Sequence, residues 1–156
     1  MNGRRDVPGA SPRLLLITSE WPPPGAAVRC TAESLQSAGL SVEVFAFRGR
    51  TLYNFVAAWT RLRPRLHPGR YDVVHAQDGS DALLAFPKRV PLVMNVATAQ
   101  FIARILARRA DAVVVPSEEI GQQLDTRAPV HVMPPGLDDA ARAARLVEVY
   151  RSVSRV

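Results

Sequence analysis

The segment that decides the fold is RLLLITSEWPPPG, residues 13–25. Its apolar run, Leu14–Ile17, is short and nearly continuous, a pattern typical of a parallel strand that is buried on both faces of a sheet. Prolines at 22–24 follow, and proline lacks the amide donor that a helix interior requires, so the chain leaves the strand through a stiff loop. From Ala26 the apolar spacing becomes helical and ends near Gly39. The segment therefore predicts a strand, a loop and a helix.

The same unit repeats along the rest of the chain. Five further apolar runs predict strands at 41–47, 71–76, 91–96, 111–116 and 130–133. Because strands alternate with helical patterns, we expect an α/β fold: a single Rossmann-like, doubly wound parallel sheet of about six strands with helices on both faces. The helix after the fourth strand is expected to bury Phe101, Ile102, Ile105 and Leu106.

Three segments make up the predicted organisation. Residues 1–12 are expected to form a flexible arm, residues 13–138 the Rossmann-like domain, and residues 139–156 a C-terminal helix packed on the same domain. The apolar stripe of that helix consists of Ala143, Leu146, Val147, Tyr150 and Val153.

Composition limits the class of protein. A length of 156 residues with 47% hydrophobic content can supply one core. No apolar run approaches the ~18 residues of a membrane span, and no secretory signal is visible, so a cytoplasmic location is expected, with peripheral membrane contact as an option. The single cysteine, Cys30, excludes an internal disulfide and a cysteine-based zinc cluster, and we expect it to be a small core residue of the first helix. No metal site is expected.

The formal charge of +6 comes almost entirely from arginine, since Lys88 is the only lysine among 20 basic residues. No zinc finger, basic zipper or RNA-binding motif accompanies the charge, so nucleic acid is not an expected partner. Phe55 and Trp59 precede a cluster that could dock on an anionic membrane leaflet. The alternative is a solvated face beside a core helix. The cluster consists of Arg61, Arg63, Arg65 and Arg70.

Ligands of doubly wound sheets bind at the carboxyl ends of the strands. In the first of these loops Trp21 offers a stacking surface, and Gly25 would let the backbone approach a ligand closely. Ala26 lies at the amino end of the following helix, where exposed amides and the helix dipole favour a phosphate or another anion. The alternative is a rigid strand–helix connection with no ligand.

A second candidate lies after the third strand. His75 could act as a base or bind a sugar hydroxyl, with Asp78 orienting it, or His75 could be structural. These two are weak catalytic candidates, and no other catalytic group is identified. Helix capping alone would also account for Thr98 and Ser117. The predicted rim of the cleft consists of Ala97, Thr98, Ser117 and Glu118.

Five motifs in sequence order carry a family resemblance. They are SEWPPPGA at 19–26, LSVEV at 40–44, YDVVHAQD at 71–78, RADAVVVPSE at 109–118 and VMPPGLD at 132–138. Together they resemble the amino-terminal, acceptor-side domain of a retaining glycosyltransferase of the GT-B fold, family 4 type. The resemblance covers about residues 14–138. Each motif is weak alone, but five in order make the match specific.

The resemblance implies a glycine loop under the donor diphosphate and a histidine beside the reacting sugar. The chain departs from both expectations, because Ala26 replaces the second glycine and Ala97 stands at the histidine position. Pro135 replaces the asparagine of the linker motif. Where the donor domain should begin, the chain continues into a helix from Asp139 that resembles the family's last helix, which crosses back onto the first domain.

Two functions remain open. The chain is either the acceptor-side half of a split or degenerate GT-B sugar transferase that acts with a partner, or a non-catalytic module that binds a nucleotide, a sugar or a protein. The partner would be a donor-domain protein or a second copy of the chain. We expect the isolated chain to be inactive and to need no cofactor, with a nucleotide sugar bound only together with a donor-domain partner.

Overall fold

The computed structural model describes residues 11–19, 26–48 and 51–154. Six strands are present: β1 Arg13–Thr18, β2 Ser41–Ala46, β3 Val73–Ala76, β4 Leu92–Asn95, β5 Ala112–Val115 and β6 Val130–Val132. The α-helices are α1 Ala26–Ser37, α2 Leu52–Leu62, α3 Phe101–Ala107, α4 Glu118–Gln123 and α5 Asp139–Ser154. Short 3₁₀ helices cover Arg63–Arg65 and Asp81–Ala85.

All six strands lie in one parallel sheet with the order β2-β1-β3-β4-β5-β6. The chain moves outward from β1 in one direction and then crosses back to β3, so the switch point lies between the carboxyl ends of β1 and β3. Helices α1 and α5 pack on one face, whereas α2, α3 and α4 cover the other. The predicted α/β class and the single Rossmann-like sheet are therefore confirmed.

The apolar run Leu14–Ile17 lies at the centre of the core. Leu14 and Leu16 of β1 face the cluster beneath α1 and α5, whereas Leu15 and Ile17 face the cluster beneath α2 and α3. All four side chains are buried. Full burial of each such side chain stabilises the fold by about 1.5–3 kcal/mol, which explains why this strand carries no polar residue in its middle.

Helix α5 is part of the sheet's covering layer. Its predicted stripe is buried throughout, and Val149 is buried as well. It packs against α1 and contacts β3, directly after β6 and a short loop. Among the described residues, no helix has the length and apolar character needed to cross a bilayer.

The prediction for α3 was wrong in part. Phe101 is 76% exposed, and Ile102 and Ile105 are also exposed, so the sheet-facing side is formed by Ala103, Leu106 and Ala107. The reason is close packing, because a Cβ atom added at Gly79 would lie only 2.8 Å from the Cβ of Ala103. Phe101, Ile102 and Ile105 therefore turn outward, whereas Leu106 is buried as predicted.

Two smaller expectations were also wrong. Gln100, not Thr98, precedes the first turn of α3, and no side chain caps it. Cys30 is exposed instead of lying in the core, because the buried side of α1 is formed by Val28, Ala32 and Leu35. The predicted arm lies almost entirely outside the described residues, which begin at residue 11.

Candidate functional site

A cavity of about 560 Å³ opens between α1 and α5 at the carboxyl end of the sheet. The strands contribute His75, Gln77 and Asn95 at or just beyond the ends of β3 and β4. The first turns of α1 and α5, together with the loop that follows β6, close the sides. The lining from these segments includes Thr31, Cys30, Met133, Pro135, Leu137, Asp139 and Arg142. The cavity thus lies where ligands of doubly wound sheets bind.

His75 forms part of the floor of this cavity and is only 1% exposed. Its Nδ1 atom lies 2.5 Å from the hydroxyl oxygen of Tyr150, and its Nε2 atom lies 2.8 Å from Oδ1 of Asn95. A neutral imidazole has one donor and one acceptor nitrogen. Since Oδ1 can only accept, Nε2–H donates to Asn95 and Nδ1 accepts from the hydroxyl of Tyr150.

Burial keeps His75 neutral. Desolvation lowers the pKa of His75 to about 4, and the hydrogen bond to Asn95 opposes that shift. Burial also raises the pKa of Tyr150 well above its usual value, so its hydroxyl keeps the proton that it donates. Both ring nitrogens are therefore occupied at neutral pH. His75 acts as a positioning residue that fixes the Asn95 amide, whose NH₂ group remains available to a ligand.

Two further polar side chains, Gln77 and Arg142, line the cavity. The Nε2 atom of Gln77 is buried and has no hydrogen-bond partner among the described residues. Arg142 donates to the carbonyl oxygen of Pro134 at 3.3 Å, which holds its guanidinium in the wall, and Asp139 lies on the same helix. The lining thus combines two side-chain amides with one guanidinium and one carboxylate, a set of groups that suits a ligand with several hydroxyl groups.

The expectation that Asp78 orients His75 is corrected. The carboxylate of Asp78 accepts hydrogen bonds from the amide of Gly79 at 2.7 Å and the hydroxyl of Ser80 at 3.1 Å. It therefore shapes the turn after β3, and the groups that orient His75 are Tyr150 and Asn95.

The other predicted site residues are distributed around the same end of the sheet. Ala97 and Thr98 are exposed after β4, and Glu118 is exposed in the first turn of α4. Ser117 caps α4 by accepting a hydrogen bond from the amide of Ile120 at 3.5 Å, as its sequence position predicted. None of these four lines the cavity.

The first loop, residues 20–25, lies outside the described residues, and Trp21 and Gly25 with it. Ala26 is the first residue of α1, whose next turn borders the cavity through Ala27 and Thr31. The predictions for these loop residues therefore remain predictions.

Sequence reasoning missed two polar cavity residues, Asn95 and Arg142. Asn95 is the one polar residue at the end of an apolar strand next to β3, which is the signal that could have placed it beside His75. Arg142 gave no comparable signal, because its contribution depends on how α5 folds back over the sheet. Within residues 11–19, 26–48 and 51–154, no group of three potential metal ligands comes together.

Comparisons with known proteins agree with this architecture. A sucrose-phosphate synthase structure from Thermosynechococcus elongatus superposes with a TM-score of 0.67 at 15% identity, over 90% of this chain and 98% of that chain. A mutant flavodoxin from Pseudomonas aeruginosa, with a TM-score of 0.39 and 10% identity over 92% and 99% of the two chains, is too distant to support an argument. No curated protein matches the sequence. The family model described as Glycosyltransferase Family 4 matches residues 13–141. Because the region that matches this family model contains all six strands of the sheet, the chain belongs to Glycosyltransferase Family 4.

Proposed function

We propose that this domain is the acceptor-side half of a GT-B sugar transferase and acts with a donor-binding domain supplied by a partner. The observation that carries the proposal is the cavity between α1 and α5, which presents Gln77, Asn95 and Arg142 at the carboxyl end of a family 4 sheet. These groups bind and orient a ligand. They do not provide a free base, since His75 is neutral and doubly bonded.

The path of the chain after β6 supports the acceptor-side assignment. The loop from Met133 leads directly into α5, which returns to the sheet beside α1. The name of the matched sucrose-phosphate synthase chain gives two segments, residues 27–220 and residues 406–426, so a long segment is combined with a short one from much later in the sequence.

The polar groups favour an acceptor with several hydroxyl groups. The Asn95 amide and the Gln77 amide can each donate to a hydroxyl or ring oxygen, and Arg142 and Asp139 can bind further hydroxyls as donor and acceptor. We therefore propose a polyhydroxylated molecule, a sugar or sugar derivative, as the acceptor class.

A second function, a non-catalytic module that binds a nucleotide or sugar, is favoured by one observation. The histidine in the cavity has both ring nitrogens bonded within the protein, and its pKa of about 4 leaves it uncharged and without a free lone pair at neutral pH. Ala97, at the position where the family resemblance implies a histidine, cannot replace it.

Thermal shift and calorimetry with the purified chain test both functions. The panel contains nucleotide sugars, free nucleotides, and sugar or inositol phosphates. A ligand present at a hundred times its dissociation constant should stabilise the chain by about 2.7 kcal/mol. The variants Gln77→Ala and Arg142→Gln should weaken binding, whereas the matched exposed variants Gln122→Ala and Arg145→Gln should not.

The two functions give different results in one further assay. An acceptor-side half transfers sugar only when a donor-domain protein is added, whereas a binding module never does. Sugar transfer by the chain alone would contradict the partner requirement. The absence of binding by every ligand in the panel would contradict both functions.

A further inference from the structure

An apolar groove runs along the outer side of α2, on the face of the sheet opposite to the cavity. It has a volume of about 300 Å³, and its walls come from α2 and from the 3₁₀ helix Asp81–Ala85. Three of its side chains are unusually exposed for their type: Leu52 at 81%, Val56 at 52% and Leu83 at 41%. The lining consists of Leu52, Phe55, Val56, Trp59, Leu83 and Leu84.

The groove results from the connection between β3 and β4. A parallel crossover is usually covered by a full α-helix, but here only the five-residue 3₁₀ helix lies beside α2. The flank of α2 that such a helix would cover is therefore left open. Trp59 is fixed in this position, because its Nε1–H donates to the carbonyl oxygen of Phe86 at 2.8 Å.

The excess positive charge of the sequence falls in the stretch that contains and flanks α2. Residues 44–71 contain six arginines and no acidic residue, so the net charge of this stretch is +6, the same as that of the whole chain. The rest of the chain contains 14 basic and 14 acidic residues, whose charges cancel. Glu43 pairs with Arg65 and Arg70 at 3.4 Å each. Two arginines border the groove: the guanidinium of Arg63 stacks 4.8 Å from the centroid of the Trp59 ring, and Arg89 lines the adjoining depression with it.

We propose that this α2 face docks on an anionic phospholipid bilayer. The exposed side chains of Leu52, Val56 and Leu83 would enter the boundary between headgroups and acyl chains, as apolar residues of interfacial helices do. Arg63 and Arg89 would then lie at the level of the lipid phosphates. Charge complementarity favours this occupant, because an apolar groove bordered by arginine matches a surface that is apolar inside and anionic at its rim.

Vesicle cosedimentation with the purified full chain tests the proposal. Vesicles of phosphatidylcholine alone are compared with vesicles of phosphatidylcholine and phosphatidylglycerol, at low and high salt. Binding should require the anionic lipid and should weaken as salt is added, since exposed charges are screened.

Two double variants separate the apolar contribution from the charge. Leu52→Ser with Val56→Ser should abolish sedimentation with anionic vesicles. Arg63→Gln with Arg89→Gln should weaken it roughly 30-fold, since each arginine near such a surface strengthens binding about fivefold. All four changed side chains are exposed, so the fold should persist, and circular dichroism can confirm it.

Matched controls lie on other surfaces. Arg145→Gln with Arg151→Gln removes two exposed arginines from α5, on the opposite face of the sheet, and Val130→Ser changes an exposed apolar side chain on the far edge. Both should bind vesicles like the unchanged chain. The proposal is wrong if anionic vesicles fail to bind the chain at low salt, or if the controls weaken binding as much as the groove variants. It is also wrong if the chain is a dimer in light scattering that only Leu52→Ser with Val56→Ser dissociates, without vesicle binding.

Discussion

Acidification from pH 7 to pH 5 should cost the protein about 2 kcal/mol of unfolding free energy through His75 alone. In the folded protein the pKa of His75 is lowered to about 4 by burial, whereas an exposed histidine in the unfolded chain titrates near pH 6.5. The unfolded state therefore binds a proton in this window and the folded state does not. Stability is fully present above about pH 6.5 and is lost as the pH falls towards 4, where the loss reaches about 3 kcal/mol.

Urea unfolding followed by circular dichroism measures this effect. For a denaturant slope of about 2 kcal/mol per molar, the unfolding midpoint should fall by roughly 1 M between pH 7 and pH 5. The variant His75→Gln should lose most of that pH dependence, whereas His67→Gln, a change at an exposed histidine, should retain it. Burial also lowers the pKa of His131, so the pH dependence that remains in His75→Gln is expected to come from that histidine.

Nuclear magnetic resonance provides a direct check that does not depend on whether His75→Gln folds. The ring signals of His75 should show the Nε2–H tautomer and should not shift between pH 7 and pH 5. A midpoint in the titration of His75 near 6.5, or a urea midpoint that does not change with pH, would refute the assignment of a buried, neutral histidine held by Tyr150 and Asn95.

Three further outcomes are expected. Gly79→Ala should destabilise the chain by about 1–3 kcal/mol, because the new methyl group would press on the Ala103 side chain of α3. At Gly136 a new methyl group would have nothing within 4 Å, so Gly136→Ala should change stability by less than about 0.5 kcal/mol. Urea unfolding measures both variants. Trp59→Phe should cost about 1 kcal/mol by removing the indole hydrogen bond to the carbonyl of Phe86, and an unchanged urea midpoint would contradict this. Cys30 should react with a thiol reagent in the folded protein, and a ligand that fills the cavity should slow that reaction.

The strands could be predicted from the sequence because each is a short apolar run with a breaker after it. Leu14–Ile17 needs burial on both sides, and only the middle of a parallel sheet provides that. Helix α5 was equally predictable, since five apolar side chains recur on one side of it. In both cases the apolar pattern lies within one short segment, and the hydrophobic effect favours burial of that segment whichever element packs against it.

Helix α3 shows where such signals fail. Its sequence offers a stripe of large residues, including Phe101 and Ile105, and a stripe of small ones that includes Ala103. Helical periodicity predicts that the stripe of large residues faces the sheet. In the structure the stripe that contains Ala103 faces the sheet instead, because the backbone at Gly79 lies so close to Ala103 that a larger side chain would not fit there. That distance is set by the connection from β3 to β4 and cannot be read from α3 alone.

The candidate site depends on contacts of still longer range. Tyr150 was predicted only as an apolar position of α5, yet its hydroxyl meets His75 across 75 residues of sequence. The same bond ties α5 to the floor of the cavity, so the residue that completes the fold also holds the binding surface in place. A change at Tyr150 or His75 would therefore alter stability and binding together. The Gln77 amide nitrogen makes no hydrogen bond to any residue that the structure describes, so Gln77 can be changed with little structural cost. Loss of ligand binding by Gln77→Ala at unchanged stability would separate the role of this cavity in binding from its role in folding.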